Sequence, residues 1–169
     1  MKLDELIKKA RERDLSDASA LQDLFDVCRL YESENFEEAH SVNKEVRRLS
    51  AKYAKEQNSF KMFDLNKRSL LFDAPYDFDA AIRYAEWDRE PKKKFYMPRR
   101  KQLLPVVKAM QRLSERKIRI LGVMAPPGVG KTTIELMFMV MEGLKNPDLS
   151  ILMGSHSNSF LRGAYEEVG

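Results

Sequence analysis

The stretch Ala125-Pro126-Pro127-Gly128-Val129-Gly130-Lys131-Thr132-Thr133 constrains this chain more than any other part of it. Its pattern is close to G-x-x-x-x-G-K-[ST], which has meaning only between a strand and a helix. The β-rich run IRILGVM (118–124) precedes it, and KTTIELMFMVMEGL (131–144) follows with helical composition. SILMG (150–154) then reads as a second strand. Strand, loop, helix and strand in this order predict one right-handed βαβ unit. The alternative is a fortuitous glycine-rich turn with a surface lysine.

Each residue type in the loop answers a chemical demand. Gly128 and Gly130 allow positive φ, which turns the backbone N–H groups around Val129 inward on a phosphate. Lys131 reaches β- and γ-phosphate oxygens as a compact cation, and Thr132 offers its hydroxyl to Mg²⁺. Thr133 continues the helix, whose positive end adds to the anion site. Ala125 replaces the usual first glycine; that position shapes the loop entry and sends no side chain to phosphate. The expected fold class is α/β: a helical N-terminal region, then the first βαβ unit of a P-loop NTPase parallel sheet, incomplete. ATP and Mg²⁺ are the expected cofactors.

Residues 1–72 read as helical. Leu3, Leu6, Ile7 and Ala10 share a stripe, as do Leu21, Leu24, Phe25, Cys28 and Tyr31, and then Val42, Val46, Leu49 and Tyr53. Asp17 and Ser19 compete as N-cap of the second helix. No Pro or Gly precedes Pro75. Residues 73–117 form a basic connector and a pre-P-loop helix over about Arg100–Glu115, with breaks at Glu90-Pro91 and Met97-Pro98. Residues 118–169 form the start of the ATPase domain. A single cysteine, Cys28, excludes an internal disulfide and reads as core. No apolar run reaches the roughly 20 residues that span a bilayer, so no membrane partner is expected.

The net charge of +4 is unevenly spread: residues 91–117 hold ten Lys and Arg against one Glu, a local +9. PKKKFYMPRRKQ (91–102) interleaves these cations with Phe95 and Tyr96, which suits stacking on a base with phosphate contacts nearby. Its bland counterpart is a solvated linker. Gln102 is a candidate reader of an adenine edge, since an amide both donates and accepts; a plain surface glutamine is the alternative. Ser155–Ser159, SHSNS, sits where a parallel sheet sets ligand-facing groups, although Ser157 or Asn158 also suits an N-cap. Nothing identifies a partner for His156 or Arg162.

FYMPRRKQLLPVVKAMQRL, ILGVMAPPGVGKTT and SILMGSHSNSFLRGAYEEV together resemble the start of the ATPase domain of tailed-bacteriophage terminase large subunits. The likeness covers about residues 73–169. It implies an ATP-driven motor that packages double-stranded DNA into a procapsid, working in the cytoplasm of the bacterial host. It also implies the small terminase subunit and portal protein as partners, and a homo-oligomeric ring in the full-length protein. By position, Lys131 and Thr132 would hold triphosphate and Mg²⁺, and Gln102, Arg99 and Arg100 would lie near the adenine-contacting motif. No arginine finger occurs within Pro126–Gly130, and the Asp-Glu strand and acidic nuclease cluster of the family are missing. The catalytic residues are therefore unassigned, and the chain is expected to be an N-terminal piece that hydrolyses ATP poorly alone. Competing readings are another P-loop ATPase, helicase-like or AAA-type, and a non-enzymatic interaction module with a vestigial P-loop.

Overall fold

A computed structural model describes residues 3–152 and 154, which divide into two compact units, Met1–Ala74 and Pro75–Gly169. The first unit contains α1 (Leu3–Arg11), α2 (Ala18–Tyr31), α3 (Phe36–Glu56) and α4 (Phe60–Asp73). Side-chain caps set where α2, α3 and α4 start, in a stretch without Pro or Gly. Asp17 accepts from Ala20 N at 3.2 Å, Asn35 from Glu38 N at 3.3 Å and Ser59 from Met62 N at 3.4 Å. Asn58, at φ +48°, supplies the left-handed residue that ends α3, so that Ser59 N reaches back to Ala54 O.

The apolar stripes turn inward as their spacing requires: Leu21, Leu24, Phe25, Cys28, Val42 and Val46 are all buried. Between α3 and α4 the core is polar. Asn43 Nδ2 donates to Ser69 O at 2.9 Å, Ser69 Oγ returns a bond to Asn43 Oδ1 at 2.8 Å, and Asn66 Nδ2 donates to Arg47 O at 2.7 Å. Short polar side chains with mutually satisfied bonds hold two helices in one register, since sliding either would leave buried groups unpaired.

The second unit contains α5 (Phe78–Ala85), one 3-10 turn (Pro91–Lys93), α6 (Tyr96–Ser114) and α7 (Lys131–Lys145). Phe78, Ile82, Tyr96, Leu103, Val107, Met110, Ile134 and Met141 form its core. The connector helix and the helix after the glycine loop therefore share one apolar centre. α6 starts at Tyr96, earlier than expected, because Pro98 falls within the first turn, where no N–H has an intrahelical partner. Pro105 then lies in the helix interior.

The α/β expectation is overturned: the described residues are helical, with no strand and no sheet. Residues 118–124 are irregular and form no ladder, and Ile120 and Met124 are 89% and 100% exposed. Residues 150–152 and 154 are likewise irregular, with Leu152 exposed. β-rich composition states only that a segment suits a pleated, half-buried surface; a strand forms only where a partner supplies the ladder. Met153, the SHSNS segment with His156, Ser157 and Asn158, and Arg162 lie outside the described residues.

Candidate functional site

The loop ahead of α7 has the backbone that its glycines permit. Gly128 stands at φ +77° and Gly130 at φ +94°, ψ +24°, both in territory costly to a residue with a Cβ. Gly130 is the N-cap of α7 and its carbonyl accepts from Ile134 N at 3.1 Å. No side chain caps this helix. The contrast with α2 to α5, each closed by its own Asp, Asn or Ser, is plain. The first-turn N–H groups of Lys131, Thr132 and Thr133 thus sit at the positive end of a fifteen-residue helix without a protein side chain as acceptor.

Lys131 folds back so that Nζ donates to Ala125 O, closing the loop from Ala125 to the helix. Val129, Gly130, Lys131, Thr132 and Thr133 are half-buried, while Gly128 is exposed with open space around it. These groups suit a polyphosphate: two left-handed glycines, one ammonium and an uncapped helix end. Thr132 in the first turn is the hydroxyl available for a phosphate-bound Mg²⁺. Among the described residues no cluster of His, Cys, Asp and Glu is arranged to hold a metal by itself, so Mg²⁺ would depend on the phosphates for most of its ligands.

The basic segment behaves differently from its composition. Tyr96 is fully buried, and its hydroxyl donates to Asp79 Oδ1 at 2.6 Å, so it presents no face to a base. Burial and this bond push the Tyr96 phenol above its usual range. Arg100 spends its guanidinium on Asp79, with Nε to Oδ1 at 2.7 Å and a terminal nitrogen to Oδ2 at 2.9 Å. Burial pushes Asp79 up, but the bonds from Arg100 and Tyr96 outweigh it and hold the carboxyl below the ordinary range. Arg99 and Gln102 are exposed on α6. Phe95 is the aromatic residue that meets the loop: its ring lies 3.1 Å from where a Cβ on Gly130 would stand.

Sequence reasoning missed the residue that holds this corner together. Glu86 is fully buried, and its carboxylate accepts from Phe95 N at 2.8 Å, Tyr96 N at 2.9 Å and Met97 N at 3.1 Å. It caps α6 from outside the helix and places Phe95 beside the glycine loop. A glutamate between two helices, followed by a helix lacking its own cap residue, is the only trace of this in the sequence.

The two glycines are expected to respond unequally to alanine. Gly128→Ala meets only its positive φ, about 1 kcal/mol. Gly130→Ala meets the same strain and also the Phe95 ring, for a total of about 2 kcal/mol. Trp87, the single tryptophan, lies in this unit and reports its urea transition. Equal losses in the two variants, or no relief of Gly130→Ala by Phe95→Ala, would contradict the ring contact.

The chain matches none of the family models, curated proteins or solved structures with which it was compared. Its class therefore rests on the loop itself.

Proposed function

We propose that this chain binds a nucleoside triphosphate, ATP with Mg²⁺, in the loop Ala125–Thr133. The observation that carries the reading is the pair of left-handed glycines immediately before a helix that no side chain caps. Val129 and Gly130 contribute backbone amides, Lys131 neutralises the β- and γ-phosphates, and Thr132 reaches Mg²⁺ through its hydroxyl. The triphosphate brings the charge and the scissile bond; the chain holds and orients it. The resemblance to terminase large subunits supplies the finer reading: part of an ATP-driven motor acting on double-stranded DNA in the bacterial cytoplasm, with a small subunit, a portal and a ring of copies as partners. No described helix is long and apolar enough to cross a membrane. Gln102 and Arg99 remain adenine-side candidates under this reading. Arg100 fits that role less well, because Asp79 already occupies its guanidinium.

Titration with a fluorescent ATP analogue and Mg²⁺ tests the site. Lys131→Ala removes charge-assisted bonds worth about 1.5–3 kcal/mol, so affinity should fall about 10- to 100-fold. Equal affinity in the two proteins would place the nucleotide elsewhere, and the reading would fail.

A further inference from the structure

We propose that the outer face of α4 pairs with the same face of a second copy of this chain, antiparallel about a two-fold axis that passes between Asp64 and Lys67. Phe60, Phe63 and Leu71 are 80%, 50% and 49% exposed, and Lys61 is the only other exposed position of the helix. At 100° per residue, Phe60, Phe63, Asp64, Lys67 and Leu71 fall within an arc of about 100°, on a stripe about 16 Å long. The opposite side of the helix is the buried row Met62, Leu65, Ser69 and Asp73. The helix therefore cannot turn these apolar side chains inward without dislodging the core of its own unit.

Nothing within the unit accounts for this face. On α3, beyond Phe36 at its first position, the exposed residues are polar, as at Ser41, Lys44, Arg48 and Lys52. Phenylalanine is a middling helix former, so propensity does not select two of them at the start of α4. Apolar residues scattered singly over a surface need no explanation. Three on one stripe of a fourteen-residue helix, with charges among them, mark a surface that a partner covers.

The order of charges selects a copy of the chain as that partner. Along the stripe the order is Phe60, Asp64, Lys67, Leu71, apolar at both ends with opposite charges between. When two such helices run antiparallel, Phe60 meets the partner's Leu71 and Asp64 meets the partner's Lys67, and the two-fold repeats both contacts. A parallel pairing would set acid on acid and base on base, which is costly. Asp64 lies 3.0 Å from Arg68 one turn on, and 49% of its side chain is exposed, so its carboxylate can accept from a second cation. A two-fold contact closes on itself and is thus separate from the head-to-tail contact that builds a ring. One helix per copy is a small interface, so the dimer is weak and depends on concentration.

Sedimentation equilibrium of the full chain over a wide range of concentration tests the pairing. The weight-average mass should climb from 19.7 kDa toward twice that value. Phe60→Gln with Leu71→Gln removes both apolar ends and should hold the chain at the monomer mass, with helicity unchanged because both side chains are exposed. Leu144→Gln, at a leucine of the second unit that is 78% exposed, should dimerise like the parent. Asp64→Lys sets like charges opposite each other at two points and should weaken association about 10-fold. Adding Lys67→Asp to the same chain exchanges the two signs and should restore it. Lys131→Ala should dimerise like the parent, so failure of the nucleotide reading would leave this result standing. A parent that stays monomeric at every concentration would overturn the proposal, whether or not it binds phosphatidylserine vesicles through the same stripe. So would self-association that survives Phe60→Gln with Leu71→Gln, an equal loss in Leu144→Gln, or a double exchange no better than Asp64→Lys.

Discussion

Replacing Glu86 by alanine is expected to cost the second unit about 3–5 kcal/mol, the range seen when one side of a buried charged contact is removed. Three backbone N–H groups at the start of α6 lose their acceptor at once, and Tyr96, whose amide is one of them, has a fully buried side chain. The carboxylate also faces the positive end of a nineteen-residue helix that carries three cations at positions 99–101, so its charge offsets both the dipole and those neighbours. Glu86→Gln makes the argument specific. A glutamine oxygen can still take the bonds from Phe95 and Tyr96, which share Oε1, but its NH₂ then confronts the Met97 N–H where Oε2 accepted. The expected loss is therefore smaller, about 1–2 kcal/mol. Since Glu86 also places Phe95, the alanine variant should weaken nucleotide binding beyond what its stability explains at temperatures where it is still folded. Trp87 fluorescence in urea gives the stability ranking. Losses of equal size for Gln and Ala would mean that the three-bond cap is not what Glu86 contributes.

Glu86 also illustrates what the sequence could and could not disclose. Helical stripes were legible because a period of 3.6 is a local property: Leu21, Leu24, Phe25 and Cys28, or Leu103, Val107 and Met110, announce a buried face without reference to anything else in the chain. The glycine loop was legible for a similar reason, since Gly128 and Gly130 are the residues that positive φ demands. Glu86 meets amides nine to eleven positions away across a turn, and Asp79 meets Arg100 across twenty-one; no periodicity encodes such pairs. The strands failed for the complementary reason. IRILGVM has the composition of a strand, but a ladder is a relation between two segments, and among the described residues the second partner is absent. The interleaving of Phe95 and Tyr96 with cations was misleading in the same way: adjacency in sequence did not give adjacency in exposure.

In the first unit the largest single effect should come from Asp73. It is almost completely buried at the end of α4, where His40 Nδ1 lies 2.5 Å from Oδ1 and the Arg47 guanidinium 3.0 Å from Oδ2. His40 extends the network through Nε2, 3.0 Å from Glu32 at the end of α2, while its ring stacks on Phe72 at 4.6 Å. One carboxylate thus joins the ends of α2 and α4 to the middle of α3. Asp73→Ala leaves the buried Arg47 guanidinium beside an empty volume and should cost about 3–5 kcal/mol. That is a large share of what a unit of this size possesses. Cys28, in the same core, gives a second readout. Burial pushes its thiol up to about 12, so in the parent it should resist alkylation, and in Asp73→Ala it should react as the core opens. A buried ion network is not intrinsically better than apolar packing, however. The triple change His40→Phe, Arg47→Met, Asp73→Leu removes the buried members together, leaving only the part-exposed Glu32, and should be less destabilising than Asp73→Ala alone. Urea unfolding followed by far-UV circular dichroism ranks the two variants. A triple variant worse than the single would show that the network itself, and not merely the pairing of its charges, holds α2, α3 and α4 together.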